Sequence, residues 1–74
     1  MEDRIFKQFA EVLGVDGSVD RAELIYNIFP GWDSVGHMTL VAALEVEFDC
    51  MLDIDDVLDM SSFAKAVEIM GKYA

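Results

Sequence analysis

Cysteine and proline are nearly absent from this chain of 74 residues, which contains one of each. The single cysteine, Cys50, excludes an internal disulfide framework and is typical of a reducing compartment. Near Met1 no basic region leads into a long apolar stretch. The longest uncharged run, 34–44, is shorter than the roughly 20 residues of a membrane-spanning helix. We therefore expect a cytoplasmic protein without membrane insertion.

Basic residues are also scarce and unevenly placed. Five Lys and Arg stand against 15 Asp and Glu, which gives a formal net charge of −10. No base lies between Ala22 and Ala64, a stretch rich in acids. Because phosphate groups are bound by clustered Lys and Arg, nucleic acid and anionic membrane surfaces are disfavoured as partners. The acidic middle is either a solvated surface or a docking face for basic partner proteins.

Recognisable catalytic and metal-binding motifs are missing too. The chain contains no P-loop, no G-x-G-x-x-G and no nucleophile elbow, and a domain of this size has little room for a catalytic cleft. His37 and Cys50 are the only soft ligands, too few for a zinc site. An EF-hand loop counted from Asp53 would place Leu58 and Ala64 where glycine and the bidentate acid belong. We expect neither a metal nor catalysis.

Hydrophobic periodicity predicts an all-α domain over residues 1–74, with three main helices and one short helix. The first helix should run from Glu2 to Leu13 and end at Gly14. A long loop follows over residues 15–33, and its apolar side chains should fold back over the core: Leu24, Ile25, Tyr26, Ile28, Phe29 and Trp32. The remaining helices are predicted over Ser34 to about Asp49, Asp53 to Leu58, and Ser61 or Ser62 to about Tyr73.

The second predicted helix has two apolar faces. Successive residues turn by about 100°. On that spacing one face carries Leu40, Val41, Leu44 and Phe48, with Ala43 at its edge. The opposite face carries Val35, Met38, Ala42 and Val46, flanked by Glu45 and Asp49. One face should pack on the core, and the other should meet another helix or a partner.

Ser34 occupies a particular position, where the long loop ends in Gly31-Trp32-Asp33-Ser34 and the helix with two apolar faces begins. At this point the chain resembles the acyl carrier protein family, in which an Asp-Ser pair opens the second helix. The run from Leu40 to Asp49 matches the "L..AL..EFD" pattern of that family without a gap. The resemblance covers essentially the whole chain and extends to the acidic stretch and the final helix. It implies a small four-helix bundle with a long first loop.

The resemblance also implies a function. Ser34, preceded by the motif residue Asp33, would be esterified by 4′-phosphopantetheine, whose thiol carries an acyl or aminoacyl group as a thioester. The partners implied are a phosphopantetheinyl transferase, an acyl- or aminoacyl-loading enzyme and a downstream transferase or synthase with basic docking surfaces. The expected docking face consists of Asp33, Val35, Met38, Ala42, Glu45, Val46 and Asp49. The protein would be a monomer and a substrate of enzymes, not an enzyme.

The chain departs from the family at several positions. Gly36, Thr39 and Val46 stand where carriers of fatty-acid synthesis usually have acids, and Val35 replaces the commoner leucine. We infer a specialised pathway: a polyketide or nonribosomal-peptide branch, polysaccharide acylation or aminoacyl transfer. The alternative is a non-catalytic acidic helical interaction module without a prosthetic group.

Three further side chains have competing interpretations. His37 is predicted to be a partly buried histidine that is hydrogen-bonded to the loop; contact with the prosthetic arm at an acyl pocket is the second possibility. Cys50 is predicted to pack and not to act as a redox group. The Trp32 ring is expected to cover the loop end of the core.

Overall fold

The computed structural model describes residues 1–73, which form four α-helices. They are α1 (Glu2–Leu13), α2 (Ser34–Phe48), α3 (Ile54–Asp59) and α4 (Phe63–Met70). The all-α prediction of three main helices, one short helix and a long first loop is therefore confirmed. Among residues 1–73, no helix is both long enough and apolar enough to cross a membrane.

The core lies between α1, α2, α4 and the end of the first loop. In α1, Ile5, Phe6 and Phe9 are buried, as their helical spacing predicts. The Phe9 ring packs edge-to-face on Trp32 at 5.0 Å and on Phe63 at 5.1 Å, between ring centroids. These contacts join the first helix, the loop and the last helix. Trp32 is completely buried, so the prediction that it covers the loop end of the core is confirmed.

Polar contacts fix α1 against α2. Arg4 Nε donates to the Glu47 carboxylate at 2.9 Å, and the Arg4 guanidinium lies 4.4 Å from the centre of the Phe48 ring. Gln8 Nε2 donates to the same carboxylate at 3.3 Å.

Gly14 ends α1 in the left-handed region at φ 69°, and its N–H donates to the Ala10 carbonyl.

The two faces of α2 are placed as the sequence predicts. Leu40, Val41 and Leu44 are buried and Phe48 is half-buried. The opposite face is open, with Val35 75%, Met38 61% and Val46 83% exposed. Ala42 is exposed as well. We call Val35, Met38, Ala42 and Val46 the open face of α2.

The first loop corrects the sequence prediction in two ways. It contains a short 3-10 turn, Arg21–Glu23, which the sequence analysis did not predict. Leu24 is buried, but Ile25 is 37% and Ile28 is 74% exposed. Ile25 forms an isolated antiparallel β-bridge with Ser62. Because side chains alternate along extended backbone, Leu24 points inward and Ile25 outward. Ile28 lies in a turn, where its own N–H donates a hydrogen bond to the Ile25 carbonyl at 3.1 Å.

The last helix is shorter than predicted. It starts after Ser62, whose hydroxyl accepts a hydrogen bond from the Lys65 N–H at 3.0 Å. It ends at Met70, and the prediction of a helix to about Tyr73 is wrong. The N–H groups of Lys72 and Tyr73 donate three residues back, to Ile69 and Met70, so the last turn is tighter than an α-helix.

Candidate functional site

The end of the first loop is a closed turn that brings Trp32 into the core. The Asn27 N–H donates to the Trp32 carbonyl at 2.7 Å, and the Trp32 N–H donates to the Phe29 carbonyl at 3.1 Å. Asn27 and Gly31 both have positive φ, 65° and 89°, a region that Asn and Gly tolerate best. The turn therefore depends on residue types that suit this backbone.

A second glycine lets this turn rest on the first turn of α2. A Cβ atom added at Gly36 would overlap the Gly31 carbonyl oxygen. Any larger residue at position 36 must therefore push the loop away from the helix. The requirement explains a glycine inside a helix, where it lowers stability by up to about 1 kcal/mol relative to alanine.

Ser34 is the first residue of α2 and is exposed. Asp33 caps the helix, because its carboxylate accepts a hydrogen bond from the Gly36 N–H at 2.9 Å. The buried Trp32 on one side and the cap on the other fix the backbone that carries the serine. The hydroxyl is thus held at a rigid helix N-terminus and can be reached from solvent.

A buried hydrogen-bond chain runs beneath Ser34. The Trp32 indole N–H donates to His37 Nδ1 at 2.9 Å, and His37 Nε2 lies 2.7 Å from the Val57 carbonyl oxygen. Because an indole N–H can only donate, Nδ1 must accept, and the imidazole carries its proton on Nε2. The prediction of a histidine hydrogen-bonded to the loop is confirmed, and the contact with α3 is additional.

Space beside this chain forms a small cavity. It has a volume of about 120 Å³ and is lined by Tyr26, His37, Val57, Leu58, Met60 and Ser61. Leu58 and Ser61 are exposed, so the cavity opens to solvent between α3 and the start of α4.

The acids of the expected docking face differ in their surroundings. Asp33 and Asp49 are exposed, whereas Glu45 is half-buried and accepts a hydrogen bond from the Leu52 N–H at 2.9 Å. An open groove at the end of α2 brings Glu45 and Asp49 together with apolar residues. Its lining consists of Ala42, Glu45, Val46, Asp49, Cys50 and Met51. Asp33 lies at the other end of the helix, beside Ser34.

The basic residues leave the open face of α2 without positive charge. Arg4 pairs with Glu47, Arg21 with Glu2 and Asp3, Lys65 with Asp59 and Glu68, and Lys72 with Asp56. The paired bases lie on α1, in the 3-10 turn Arg21–Glu23, on α4 and just after α4, and the remaining base, Lys7, lies on α1. The acids around the open face keep an uncompensated field that attracts basic groups.

Cys50 sits in the groove at the end of α2 and is half-buried. Desolvation raises the pKa of its thiol, and the nearby carboxylates of Glu45 and Asp49 raise it further. A thiol with a raised pKa is a poor nucleophile, which agrees with the packing interpretation. Across residues 1–73, no group of three or more His, Cys, Asp or Glu is arranged to hold a metal ion.

Several exposed apolar residues were not recognised from the sequence. Met51 is 86%, Ile54 65% and Leu58 76% exposed. Their positions in and before a short predicted helix gave no indication of which side faces the core. Val57 is the one residue of α3 that is buried.

No protein-family model matches the chain, and no solved structure matches it.

Proposed function

We propose that the protein is a carrier whose Ser34 is modified with 4′-phosphopantetheine and which moves an acyl or aminoacyl group between partner enzymes. The observation that carries the proposal is an exposed serine at the N-terminus of α2, in an Asp-Ser pair with the sequence register of carrier proteins. The resemblance of the sequence suggests the group, and the accessibility of the hydroxyl is compatible with it.

The position suits a phosphate ester. The free N–H groups and the dipole at the start of a 15-residue helix favour negative charge there. The Asp33 carboxylate accepts a hydrogen bond from one of these N–H groups, that of Gly36. The N–H groups at the very start of the helix remain available to a phosphate. Ser34 lies among no packed side chains that would block an arm or an approaching transferase. When attached, the arm supplies a thiol that holds the carried group as a thioester.

Ser34 needs activation from outside the carrier. The single histidine, His37, lies three residues beyond the serine, is buried, and has both ring nitrogens already hydrogen-bonded. The base and the metal for the modification therefore come from the phosphopantetheinyl transferase. The carrier contributes the rigid placement of the hydroxyl, through the Asp33 cap and the glycine contact between loop and helix.

The open face of α2 is the proposed docking surface. Its apolar side chains stand beside Asp33, Glu45 and Asp49, and no base pairs with them within the described residues. A small surface of this kind supports brief encounters with basic partners, steered by long-range attraction. Gly36 and Val46 make it less acidic than the usual carrier surface, which supports a specialised pathway and a dedicated set of partners.

Modification can be tested by mass. The protein is incubated with coenzyme A, Mg²⁺ and a broad-specificity phosphopantetheinyl transferase, and the intact mass is measured. We expect the mass of one arm to be added to the native protein and to Ser61→Ala, which removes another exposed serine. Ser34→Ala should remain unmodified. Modification of Ser34→Ala, or none of the native protein with several transferases, would contradict the proposal.

The open face of α2 also supports a second candidate, an acidic helical interaction module without a prosthetic group. Monomeric proteins rarely leave large apolar patches in water, and such patches mark interaction sites. A protein that resists modification yet binds a partner permanently through Val35, Met38 and Val46 would fit this second function.

A further inference from the structure

We rest this inference on the proposed function, in which an arm on Ser34 carries an acyl group that lies either inside the protein or in solvent. Each methylene of an acyl chain is less stable in water than in an apolar interior, so a long chain enters a protein wherever room exists. The interior next to Ser34 is filled. Trp32 and Leu40 are completely buried there, and Phe9 packs against the Trp32 ring.

The His37 ring occupies the space between α2 and α3. It lies one helical turn beyond Ser34 and is hydrogen-bonded at one nitrogen to the loop and at the other to α3. It also stacks on the Trp32 ring, with centroids 6.0 Å apart, and touches Tyr26 edge-to-face at 5.1 Å. A side chain held by two hydrogen bonds and two aromatic contacts cannot easily rotate away.

The space that His37 leaves is small and uncharged. An apolar cavity of about 150 Å³ holds benzene, with six carbon atoms. On that scale the cavity of about 120 Å³ beside the His37 ring has room for about four, at most five, carbon atoms. Val57, Met60 and Leu58 supply apolar walls. No Lys or Arg lines the cavity, so no side chain of its lining would neutralise a carboxylate placed there. A carried group with a terminal carboxylate is disfavoured there.

We propose that His37 is a specificity-determining residue that limits the carried group to a short, uncharged acyl group of about four carbons or fewer. A short group reaches the cavity beside His37. A long chain is refused by the hydrogen-bonded ring and stays in solvent. Removing the ring joins the cavity to the space that the ring fills and so lengthens the group that can be sheltered.

The test uses the full chain loaded at Ser34 with acyl arms of different length. A broad-specificity transferase moves the arm from butyryl-, dodecanoyl- or succinyl-coenzyme A. The bond from the arm's phosphate to adenosine 3′,5′-bisphosphate breaks, a bond to the Ser34 oxygen forms, and the hydroxyl proton passes to the transferase. Intact mass confirms loading before any further measurement. The thermal midpoint of each acyl form is then compared with that of the free-thiol form, and the rate of thioester cleavage by hydroxylamine is compared with that of the same acyl-coenzyme A in solution.

In the native protein we expect butyryl to raise the thermal midpoint and slow cleavage. The dodecanoyl form should show no higher midpoint and no slower cleavage than the butyryl form. The succinyl group should change neither the midpoint nor the cleavage rate. In His37→Ala, dodecanoyl should raise the midpoint above butyryl and slow cleavage several-fold. His37→Gln keeps one acceptor and one donor and should retain the native length limit. Ile28→Ala, at an exposed residue of the first loop outside both the cavity and the open face of α2, is the control and should leave the limit unchanged.

Two results in the native protein alone would overturn the proposal, whether or not His37→Ala folds. One is a midpoint that continues to rise from butyryl to dodecanoyl. The other is an absence of any effect of butyryl on midpoint and cleavage. Failure to load Ser34 is seen separately in the intact mass; it contradicts the proposed function itself and removes the basis of this inference with it.

Discussion

The two faces of α2 carry similar apolar residues but differ in burial. Leu40 and Leu44 are fully buried, whereas Val35 and Val46, on the same 15-residue helix, are more than 70% exposed. The buried face contributes to stability by removing apolar surface from water. The open face makes no such contribution, and in the proposed function its apolar side chains contact partner enzymes. One helix thus combines a face that packs in the core with a face that we propose for docking.

The largest expected effect separates the two faces directly. Leu44→Ala should lower the free energy of unfolding by about 2–5 kcal/mol, because it removes buried methyl groups and leaves a cavity. Val46→Ala should change it by less than about 0.5 kcal/mol, as at other exposed positions. Denaturant unfolding of both variants makes the comparison. Val46→Ala should still slow transfer from a cognate enzyme. If Val46→Ala unfolds the protein instead, the faces are assigned the wrong way round.

A smaller effect tests the contact between the loop and the start of α2. Gly36→Ala should destabilise the protein by about 1–3 kcal/mol, the range for steric overpacking. Helix propensity alone would predict the opposite result, a stabilisation by about 1 kcal/mol, because alanine is a better helix former than glycine.

The matched control for this prediction is Gly17→Ala, since a Cβ atom at Gly17 meets nothing within 4 Å. It should leave stability nearly unchanged. Thermal unfolding that shows Gly36→Ala to be more stable than the native protein would mean that the Gly31 carbonyl does not rest on the helix.

The smallest effect concerns α3, which polar contacts attach to the chain end. Tyr73 donates a hydrogen bond from its hydroxyl to Asp56 at 2.5 Å, and Lys72 Nζ lies 2.6 Å from the other carboxylate oxygen. The hydrogen bond from Lys72, followed by that from Tyr73, lowers the pKa of Asp56 below its usual value of 3.8. A depressed carboxyl pKa contributes stability above the unfolded-state pKa that is lost as the pH falls through the folded-state pKa.

We therefore expect Asp56→Asn to be less stable than the native protein at pH 7, and the difference to shrink below about pH 4 as Asp56 becomes protonated. Thermal unfolding at both pH values measures the change. Asp55→Asn, an exposed neighbour on the same helix, should show no such pH-dependent difference. An Asp56→Asn difference that is unchanged at acid pH would show that the carboxylate has no stabilising partner.

The features that depend on nearby residues could be predicted well. The helix Glu2–Leu13, its end at Gly14, the start of α2 at Ser34 and its two faces all follow from periodicity and caps within a few residues. The predictions that failed depend on packing. Ile28 was expected to cover the core and is 74% exposed, because a turn directs it outward. The end of α4 was predicted too late although Gly71, the residue directly after Met70, is of a type that commonly ends helices.

The same distinction between local features and distant contacts applies to the candidate site. The sequence by itself determined that an Asp-Ser pair opens α2 and that the surrounding stretch is acidic, since helix caps and charge depend only on residue type and local spacing. Tertiary structure alone decided that Gly36 must be a glycine, because the Gly31 carbonyl rests on it. It also decided that His37 joins Trp32 to Val57, a partner 20 residues away. Such contacts depend on how the loop and the helices pack, and hydrophobic periodicity does not specify which distant atoms meet.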